Sequence, residues 1–523
     1  MGKDNPNLVD ETMQRKDAAS NLTSPKDSEV VARGCIIHPF GESGPVLETI
    51  GQSATTSTED EIPAEYLAIG PMDGRYAKIG KKLSPYFSEY ALVKNRVKVE
   101  VYWLLFQLDH LHTSEILNSF NRDDWNKVMS IYKNFSCKSF MRVKEFEKIT
   151  NHDVKSVELF VAEKLKELGM GSLVSFVHMG CTSEDITNPS YARMILSALR
   201  EVWIPAAKKL IDVIYNLVAD NLDIPMLAHT HGQPATPTSV SKEFAVYLYR
   251  LRKSLDNIQS ISVCAKFNGA TGNYSALSVA FPEEIWQKLS EQFIKDYLQL
   301  DFNPVTTQIE SHDYICHILD GIRHFNNVLR DLDTDMWLYI SKGYFKQIAV
   351  KSEVGSSTMP HKVNPIRFEN SEENIKMSNA ICNILSDELP RSRMQRDLSD
   401  SSLLRNIGLA FAYSLQAIEQ TIGGLQKVEV DKKIISADLD RRWDVLAEPI
   451  QTMLRKYGIP DAYNQLKDLT RGKTISKNDI HKFINSLYVL SDEDKKTLLD
   501  LTPASYTGYA DDIAKSVLYG LVN

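Results

Sequence analysis

Residues 311–336 read SHDYICHILDGIRHFNNVLRDLDTDM, and this stretch decides the fold class. Its apolar residues alternate three and four positions apart, which is the spacing of a heptad-like helical seam. A helix of 25 residues or more would be about 40 Å long at 1.5 Å per residue, and one chain can hardly bury such a helix on every side. The stretch therefore predicts a long bundle helix and self-association of the chain. The seam residues are Ile315, Ile318, Ile322, Phe325, Leu329, Leu332 and Met336.

Two more stretches repeat this spacing, the second less regularly, and few stretches alternate as strands do. Shorter helical patterns fall at about 86–110, 123–137 and 151–169, with Asn151 or Asp153 as the cap of the third. The sequence therefore predicts an all-α protein with a bundle of long helices at its centre. The two further seams are Phe244, Leu248, Leu251, Leu255 and Ile258, and Leu404, Ile407, Phe411, Ser414 and Ile418.

The composition changes along the chain and predicts four segments. Residues 1–62 are rich in polar residues, have few aromatics and show no periodicity, which is typical of a disordered extension. An N-terminal helical domain is predicted at 63–172 and the central long-helix bundle at 173–425. After about residue 425 the helical patterns become shorter and more polar, with proline and glycine breaks, so 426–523 is predicted to be a small C-terminal helical domain.

The overall composition excludes some classes of function. The 523 residues are 43% hydrophobic and 24% charged, as in ordinary globular proteins, and the net charge is −8. An acidic chain of this kind is a poor candidate for binding nucleic acid or a membrane surface. Six scattered cysteines without a CxxC pair fit a reducing compartment and no structural zinc site. We therefore predict a cytoplasmic protein, with a plastid or other organelle left open.

A second stretch carries the chemistry. Residues 355–365 read GSSTMPHKVNP, in which hydroxyl residues follow a glycine and two prolines interrupt helical geometry. A long helical pattern begins at Glu369 and Asn370. The stretch predicts a mobile loop leading into a helix N-terminus, where unpaired backbone N–H groups favour anions. For each residue taken alone, an ordinary surface turn is the simpler interpretation.

The ordered combination in this loop resembles the signature of the fumarase/aspartase superfamily, whose members cleave C–N or C–O bonds and release fumarate. Five other blocks are similar, in order, to the branch of that superfamily that acts on adenylosuccinate. The resemblance implies a three-domain all-α fold whose central bundle associates into a tetrameric helical core, with active sites shared between subunits. The blocks are DGRY at 73–76, TNHD at 150–153, CTSED at 181–185, THGQPATP at 230–237 and RMQRD at 393–397.

The implied reaction is β-elimination of fumarate from adenylosuccinate, giving AMP, and from succinyl-aminoimidazole-carboxamide ribotide, giving AICAR. It needs a base, an acid for the leaving nitrogen and cations for the carboxylate charge, and no cofactor. The resemblance implies Ser356 as the base, with Ser357 as the alternative, and His231 as the acid. Serine needs a cationic, water-excluded setting to act as a base. His229 and His231 form a His-x-His pair, but nothing nearby completes a set of metal ligands, so no metal is predicted.

The remaining site residues also follow from the resemblance. Arginine binds phosphate in bidentate fashion, whereas hydroxyl, amide and ammonium groups suit the succinyl carboxylates. His178 and Glu369 are expected to support the site from behind. The implied substrate-binding residues are Arg75, Tyr76, Asn151, His152, Asp153, Thr182, Ser183, Gln308, Ser357, Lys362, Val363, Asn364, Asn370, Arg396, Ser401 and Arg405.

Two other functions stay open at the level of sequence. Another fumarate-releasing enzyme, such as an argininosuccinate lyase, would share the fold and the acid–base pair but not the arginines suited to phosphate. A non-catalytic scaffold on the same fold would be expected to lose the acid or the base, and Ser356, His231 and Lys362 are all present.

Overall fold

The computed structural model describes residues 64–112, 115–349, 358–472 and 474–521. The predicted extension 1–62 and the loop residues Ser356 and Ser357 lie outside the described residues. The described part is predominantly α-helical, which confirms the predicted fold class. Its short strands pair two by two. These strands are β1 (Pro225–Met226) with β4 (Thr238–Ser239), β2 (His229–Thr230) with β3 (Gln233–Pro234), β5 (Cys264–Ala265) with β6 (Asp301–Phe302), and β7 (Phe345–Gln347) with β8 (Val428–Val430).

The N-terminal helices differ from their predicted bounds because local caps end them. The helix predicted over 86–110 is two helices, since Ser88 Oγ accepts from the Ala91 N–H at 3.2 Å and starts α3. The helix predicted over 123–137 is α5, and a new cap at Ser136 begins α6. The helices are α1 (Ala64–Leu67), α2 (Ala77–Phe87), α3 (Glu89–His110), α4 (Glu115–Asn118), α5 (Arg122–Lys133), α6 (Cys137–Thr150) and α7 (Asp153–Glu167).

The predicted caps of α7 are wrong. Asn151 has φ 50° and ends α6 in a left-handed conformation, which asparagine tolerates better than most residues. His152 is the cap of α7, because its Nδ1 accepts from the Lys155 N–H at 3.2 Å. Asp153 is therefore the first residue of the helix and its carboxylate is available for other contacts.

The central helices contain the three predicted seams, whose residues are all buried. Leu404 lies on α15 and the rest of its seam on α16, so that seam crosses a helix break. The signature helix begins at Ile366, three residues earlier than predicted, because Pro365 occupies its N-cap. The helices are α8 (Ser183–Ala198), α9 (Ile204–Asp220), α10 (Val240–Gln259), α11 (Ser275–Ala280), α12 (Trp286–Gln292), α13 (Asp313–Ser341), α14 (Ile366–Glu388), α15 (Ser399–Leu404) and α16 (Ile407–Leu425).

Side-chain hydrogen bonds give the direction of α14 relative to α13. Near the middle of α13, the Asn326 amide donates to Ser378 Oγ of α14 at 3.0 Å. Near its C-terminal end, Trp337 Nε1 donates to Glu369 Oε1 at 3.1 Å. Later residues of α13 thus meet earlier residues of α14, so the two helices are antiparallel. The 29 residues of α13 make a rod about 44 Å long.

A buried carboxylic acid locks the register of these helices with α16. Thr421 Oγ1 donates to Asp333 Oδ1 at 2.7 Å and lies 2.9 Å from Ser371 Oγ. Burial raises the pKa of Asp333 well above its ordinary value, which favours its uncharged, hydrogen-bonding carboxyl form. A similar polar contact earlier along the helices, from Ser414 to Asn326, shows that α16 runs parallel to α13.

Two hydrophobic cores are present in the described residues. The larger one includes helices on both sides of residue 172 and continues to Ile435. The smaller one extends from Leu446 to Leu498. Helix α22 returns to the larger core through Ala514, Val517 and Leu518, and the domain boundaries at 172 and 425 stay predictions. The last helices are α17 (Lys432–Asp440), α18 (Ala447–Lys456), α19 (Ala462–Thr470), α20 (Lys477–Ser486), α21 (Asp492–Asp500) and α22 (Ala510–Leu518).

Shorter helical segments of 3₁₀ or π type complete the described part. Among the helices described here, none combines the length and the apolar character needed to cross a membrane. The 3₁₀ segments are Gly171–Phe176 and Trp443–Leu446, and the π segments are Leu199–Trp203 and Phe293–Tyr297.

Leu332→Ala tests the packing of α13. Leu332 is fully buried, and deleting its side chain leaves a cavity that should lower the free energy of unfolding by about 2–5 kcal/mol. Urea denaturation followed by circular dichroism measures the change. Val279→Ala, at a position 82% exposed, is the control and should leave the midpoint unchanged. Equal midpoints for Leu332→Ala and the unmodified protein would contradict the assignment of the seam.

Candidate active site

A cleft of about 490 Å³ lies beside the N-terminal ends of α7 and α8 and beside α15. Residues from distant parts of the sequence meet there, because the bundle brings these helix ends together. The cleft gathers nine of the residues predicted to bind substrate, although this proximity does not by itself test their roles. These nine are Asn151, His152, Asp153, Thr182, Ser183, Gln308, Arg396, Ser401 and Arg405.

One wall of the cleft carries a carboxylate shared by two arginines. Arg96 Nη1 lies 2.7 Å from Asp153 Oδ2, and Arg405 Nη2 lies 3.5 Å from the same oxygen. Burial would raise the pKa of Asp153, but the two guanidinium groups lower it below its ordinary value. Asp153 is therefore ionised at neutral pH. The side chain of Arg405 is 46% exposed. It can therefore turn toward a bound anion while its guanidinium stays near Asp153.

The N-terminus of α8 forms a second wall. Thr182 and Ser183 line the cleft there with hydroxyl groups, and a helix N-terminus presents unpaired N–H groups to anions. This turn is fixed from behind by Asp185, which is fully buried. Its carboxylate accepts from the Thr182 N–H at 2.8 Å and from the Asn268 N–H at 3.0 Å, and it pairs with Lys266 Nζ at 2.9 Å.

Arg396 belongs to a buried network of charges. Its Nη1 lies 3.0 Å from Glu184 Oε2, and its Nη2 lies 3.9 Å from Asp400 Oδ1. Burial raises the pKa of Glu184 above its ordinary value, and His312 and Arg396 oppose that effect. His312 Nε2 lies 3.4 Å from Asp400 Oδ2. Behind the cleft, charges of both signs are thus packed in nearly dry surroundings.

The ligand atoms of Glu184, His312 and Asp400 lie within 4.8 Å of one another, a spacing that a metal ion could use. The guanidinium of Arg396 already contacts both carboxylates, and a second cation beside it would be repelled. We therefore interpret the group as a network of ion pairs. The absence of a metal stays a prediction.

Gln308 and His178 are also fixed by neighbours. The Gln308 amide donates to the Ala270 carbonyl at 2.9 Å. The Nδ1 atom of His178 lies 2.6 Å from Glu100 Oε1 of α3. Burial alone would lower the pKa of His178, yet Glu100 raises it above the ordinary value. Among the described residues that line the cleft, His178 does not occur.

The acid candidate His231 lies in the turn between β2 and β3, exposed and with φ 53°. Two residues before it, His229 Nε2 accepts from Lys342 Nζ at 2.9 Å. Burial and the neighbouring ammonium group lower the pKa of His229, so this imidazole is neutral. Because Lys342 directly follows α13, the hairpin is held at the C-terminal end of that helix.

The described part of the signature segment lies at the same end. Lys362, Val363 and Asn364 precede α14, and the Gln347 amide donates to the Val363 carbonyl at 2.6 Å. Glu369 contacts Trp337 near the end of α13.

Asn370 connects the predicted substrate-binding residues of the N-terminal part to this group. Its amide donates to the Tyr76 hydroxyl at 3.0 Å, and the exposed Arg75 is the next residue before that tyrosine. Arg75, Tyr76 and Asn370 therefore form one group with the signature segment, apart from the cleft.

The two groups of predicted residues are separated by the length of α13. His312, in the charge network behind the cleft, directly precedes the helix, and Lys342, at the hairpin, directly follows it. A rod of 29 residues holds these ends about 44 Å apart, whereas the two residues from His229 to His231 span at most about 7 Å. In a single chain, His231 therefore cannot reach the cleft.

Sequence reasoning missed four charged residues of this site. Glu184 lay inside a quoted block, and His312 follows the matched Gln308 by four positions, so both could have been considered. Arg96 sits in an apolar helix, and Asp400 sits beside Ser401 in a polar stretch. Nothing in the sequence spacing of Arg96 and Asp400 indicates that they belong to the site. Their role depends on which face of the helix turns inward.

Comparisons with known proteins agree with this architecture. Residues 74–381 match a family model described as "Lyase", and residues 392–507 match one described as "Adenylosuccinate lyase C-terminal". A solved fumarate lyase from Mesorhizobium sp. BNC1 aligns with a TM-score of 0.67 at 18% identity, covering 84% of this chain and 98% of that one. The 3-carboxy-cis,cis-muconate lactonizing enzyme from Pseudomonas putida aligns with a TM-score of 0.65, also at 18% identity, covering 84% and 96%. At such identity the likeness shows the fold alone.

The long-helix bundle and the matched family model define the class: the chain is a lyase of the fumarase/aspartase superfamily. Relatives of higher sequence identity define the family within this superfamily. An adenylosuccinate lyase of Escherichia coli K12 is 46% identical over 444 residues, covering 85% of this chain and 97% of the relative. One from Vibrio cholerae is 44% identical over 447 residues, covering 85% and 98%. The chain belongs to the adenylosuccinate lyase family.

Lys266→Met tests the anchor behind the α8 turn. The change leaves the fully buried Asp185 carboxylate without its cation, which should lower the free energy of unfolding by about 3–5 kcal/mol. Urea denaturation measures it. Lys295→Met breaks an exposed ion pair with Glu291 and should change nothing measurable. Similar midpoints for the two variants would show that the buried pair does not hold this turn.

Proposed function

We infer that this chain catalyses the β-elimination of fumarate from adenylosuccinate, giving AMP, and from succinyl-aminoimidazole-carboxamide ribotide, giving AICAR, in purine biosynthesis. The observation that carries this inference is the likeness to adenylosuccinate lyases at 44–46% identity over 97–98% of their length. The cleft supports it independently, because arginines, hydroxyl groups and a helix N-terminus converge there on a space that suits an anionic ligand.

In this proposal the cleft binds the nucleotide. Arg405 and Ser401, one helical turn apart at the end of α15, bind the phosphate, and Arg396 adds a second guanidinium. Thr182 and Ser183 offer hydroxyl groups and the α8 N-terminus to a carboxylate. Asn151, His152, Asp153 and Gln308 complete the lining.

The chemical step follows from the residue types. Ser356, as the base, removes a proton from the carbon next to a carboxylate, and the negative charge spreads into that carboxylate. Lys362 and Asn364 stabilise this charge as cation and amide donor. The electron pair then forms the C=C bond of fumarate while the C–N bond breaks. His231, as the acid, donates a proton to the leaving nitrogen.

The cleft and the acid have to come from different subunits if they act on the same substrate. Since α13 separates His231 from the cleft in one chain, a second copy must supply the acid if both act on the same substrate. Exposed apolar side chains on the long helices, such as Trp337, Met377 and Ile384, offer surfaces for such contacts. We therefore include in the proposal a homotetramer with shared active sites, in which Val363, Glu369, Asn370, Arg75 and Tyr76 reach the cleft of a neighbour.

The other functions are not favoured. An argininosuccinate lyase would leave the phosphate-binding arginines unexplained, and the relatives at 44–46% identity are adenylosuccinate lyases. A scaffold would not need to retain Ser356, His231 and Lys362 together. We also propose a cytoplasmic location, which the free thiols of Cys137, Cys181, Cys264, Cys316 and Cys382 support.

An assay of fumarate release tests the function. The purified protein is mixed with adenylosuccinate or, in parallel, with argininosuccinate, and fumarate is measured by a coupled assay common to both. We expect fumarate from adenylosuccinate alone. Fumarate from argininosuccinate would overturn the assignment of the arginines to a phosphate, and fumarate from neither would overturn the proposed reaction.

Ser356→Ala and His231→Ala test the two proton-transfer roles. Each should keep the oligomer, checked by light scattering, and lower kcat for adenylosuccinate by at least about 100-fold, because proton transfer by a positioned group contributes about 10²–10⁴. The exposed His112→Ala is the matched control and should keep most of kcat. A Ser356→Ala enzyme with near-normal kcat would show that Ser356 is not the base.

A further inference from the structure

His312 occupies an unusual position for a histidine. It is only 2% exposed, and it adopts φ 63° immediately before the longest helix of the described part. Residues with a side chain rarely adopt this left-handed conformation, and strained backbones of this kind are concentrated at functional sites. The backbone N–H donates to Glu310 Oε2 at 2.8 Å, which holds the residue in place.

The ring of His312 faces carboxylates from three different segments. Its Nε2 lies 3.4 Å from Asp400 Oδ2 of α15, and its Nδ1 lies 4.0 Å from Glu310 Oε2 of the preceding loop. Glu184 of α8 completes the group. Three acids around one imidazole favour its doubly protonated, cationic form, since nearby negative charge stabilises that form.

The same carboxylates contact Arg396 on their other side. Glu184 Oε2 accepts from Arg396 at 3.0 Å, and Asp400 Oδ1 lies 3.9 Å from its guanidinium. Glu184 Oε1 and Asp400 Oδ1 are buried atoms without a hydrogen-bond partner. Two such carboxylates cannot be neutralised by one guanidinium, so the arrangement needs a second cation behind them. His312 is in the position to supply it.

We propose that His312 is a positioning residue of this active site: as a buried imidazolium it fixes the carboxylates of Glu184 and Asp400, and these hold the Arg396 guanidinium toward an anionic group of the substrate. His312 itself does not line the cleft in the described residues. The proposal rests on the proposed function in taking the cleft as the nucleotide site. It extends that function by a residue that acts through Arg396.

The network of His312 and its acids predicts a specific pH dependence of nucleotide affinity. Burial alone would lower the pKa of His312, but the surrounding acids raise it above the ordinary value. A cation with a raised pKa is retained below that value and is lost as pH rises through it. Nucleotide affinity should therefore weaken on the alkaline side, where His312 becomes neutral. The acids around the ring are Glu184, Glu310 and Asp400. Arg396 contacts Glu184 and Asp400, and Tyr314, which interacts with Glu310 and Glu184, is held uncharged by burial, which raises its pKa.

The test compares His312→Gln and His312→Leu with the unmodified enzyme in adenylosuccinate turnover between pH 6 and pH 9.5. Glutamine keeps an N–H donor for Asp400 but cannot titrate, whereas leucine leaves both carboxylates to Arg396 alone. We expect His312→Leu to raise KM about tenfold or more at pH 7 with kcat changed less than about threefold, the pattern of lost uniform binding. His312→Gln should show at every pH the raised KM that the unmodified enzyme reaches only on the alkaline side, because a neutral side chain cannot supply the cation.

His317→Gln, at an exposed position on the same helix, is the control and should keep the normal profile. An unchanged KM in His312→Leu, a loss confined to kcat, or an alkaline rise of KM retained in His312→Gln would overturn the proposal. If His312→Leu does not fold, the pH profile of His312→Gln still decides, because a merely structural role for the ring would not remove a titration.

Calorimetric binding of AMP at pH 7 and pH 9 separates this proposal from the proposed function. The unmodified protein should bind AMP more weakly at pH 9, and His312→Gln should bind it equally at both values. Absence of fumarate release by the unmodified enzyme would refute the reaction, while these binding curves would still test His312. Equal AMP affinity of the unmodified protein at both pH values would refute the role of His312 even in an active enzyme.

Discussion

The packing of α13 against α14 and α16 is the constraint on which the rest of the structure depends. An apolar seam drives the contact, and buried polar pairs such as Asp333 with Thr421 set its register. Apolar seams alone would tolerate sliding, whereas an unpaired buried carboxyl group would be costly. The result is a rod about 44 Å long that fixes both ends at once. One end carries the cleft, and the other carries the His231 hairpin and the signature helix.

This geometry explains why the cleft alone is an incomplete site. It holds groups that bind charge, namely Arg396, Arg405 and the α8 N-terminus, but no candidate base or acid among the described residues that line it. Its arginines are balanced by buried carboxylates such as Glu184, which keep the guanidinium groups oriented before a ligand arrives. Preorganised charge of this kind favours binding, and an acid brought by a second subunit would complete the chemistry.

The sequence was most informative where a pattern has a single physical cause. The alternation of three and four residues predicted the buried face of α13 correctly, because only a helix places those residues in one line. Helix ends were less predictable: Asn151 and Asp153 were both credible caps, and His152 is the cap because asparagine accepts the left-handed turn. The grouping of the site residues into two distant sets could not be predicted, since spacing along the chain carries no information on which helix ends meet. Arg96 and Asp400 were missed for the same reason.

The central claim is that the nucleotide-binding cleft and the acid act on one substrate from different copies of the chain. Mixing His231→Ala with Arg405→Ala, which removes a proposed phosphate ligand from the cleft, after reversible dissociation, tests it most directly. Random reassociation should raise fumarate release from subsaturating adenylosuccinate to about a quarter of the unmodified activity, because each shared site draws an intact cleft and an intact acid with a chance of about one half each. If exchange of subunits is demonstrated and the mixture stays inactive, each site lies within a single chain and the account is wrong.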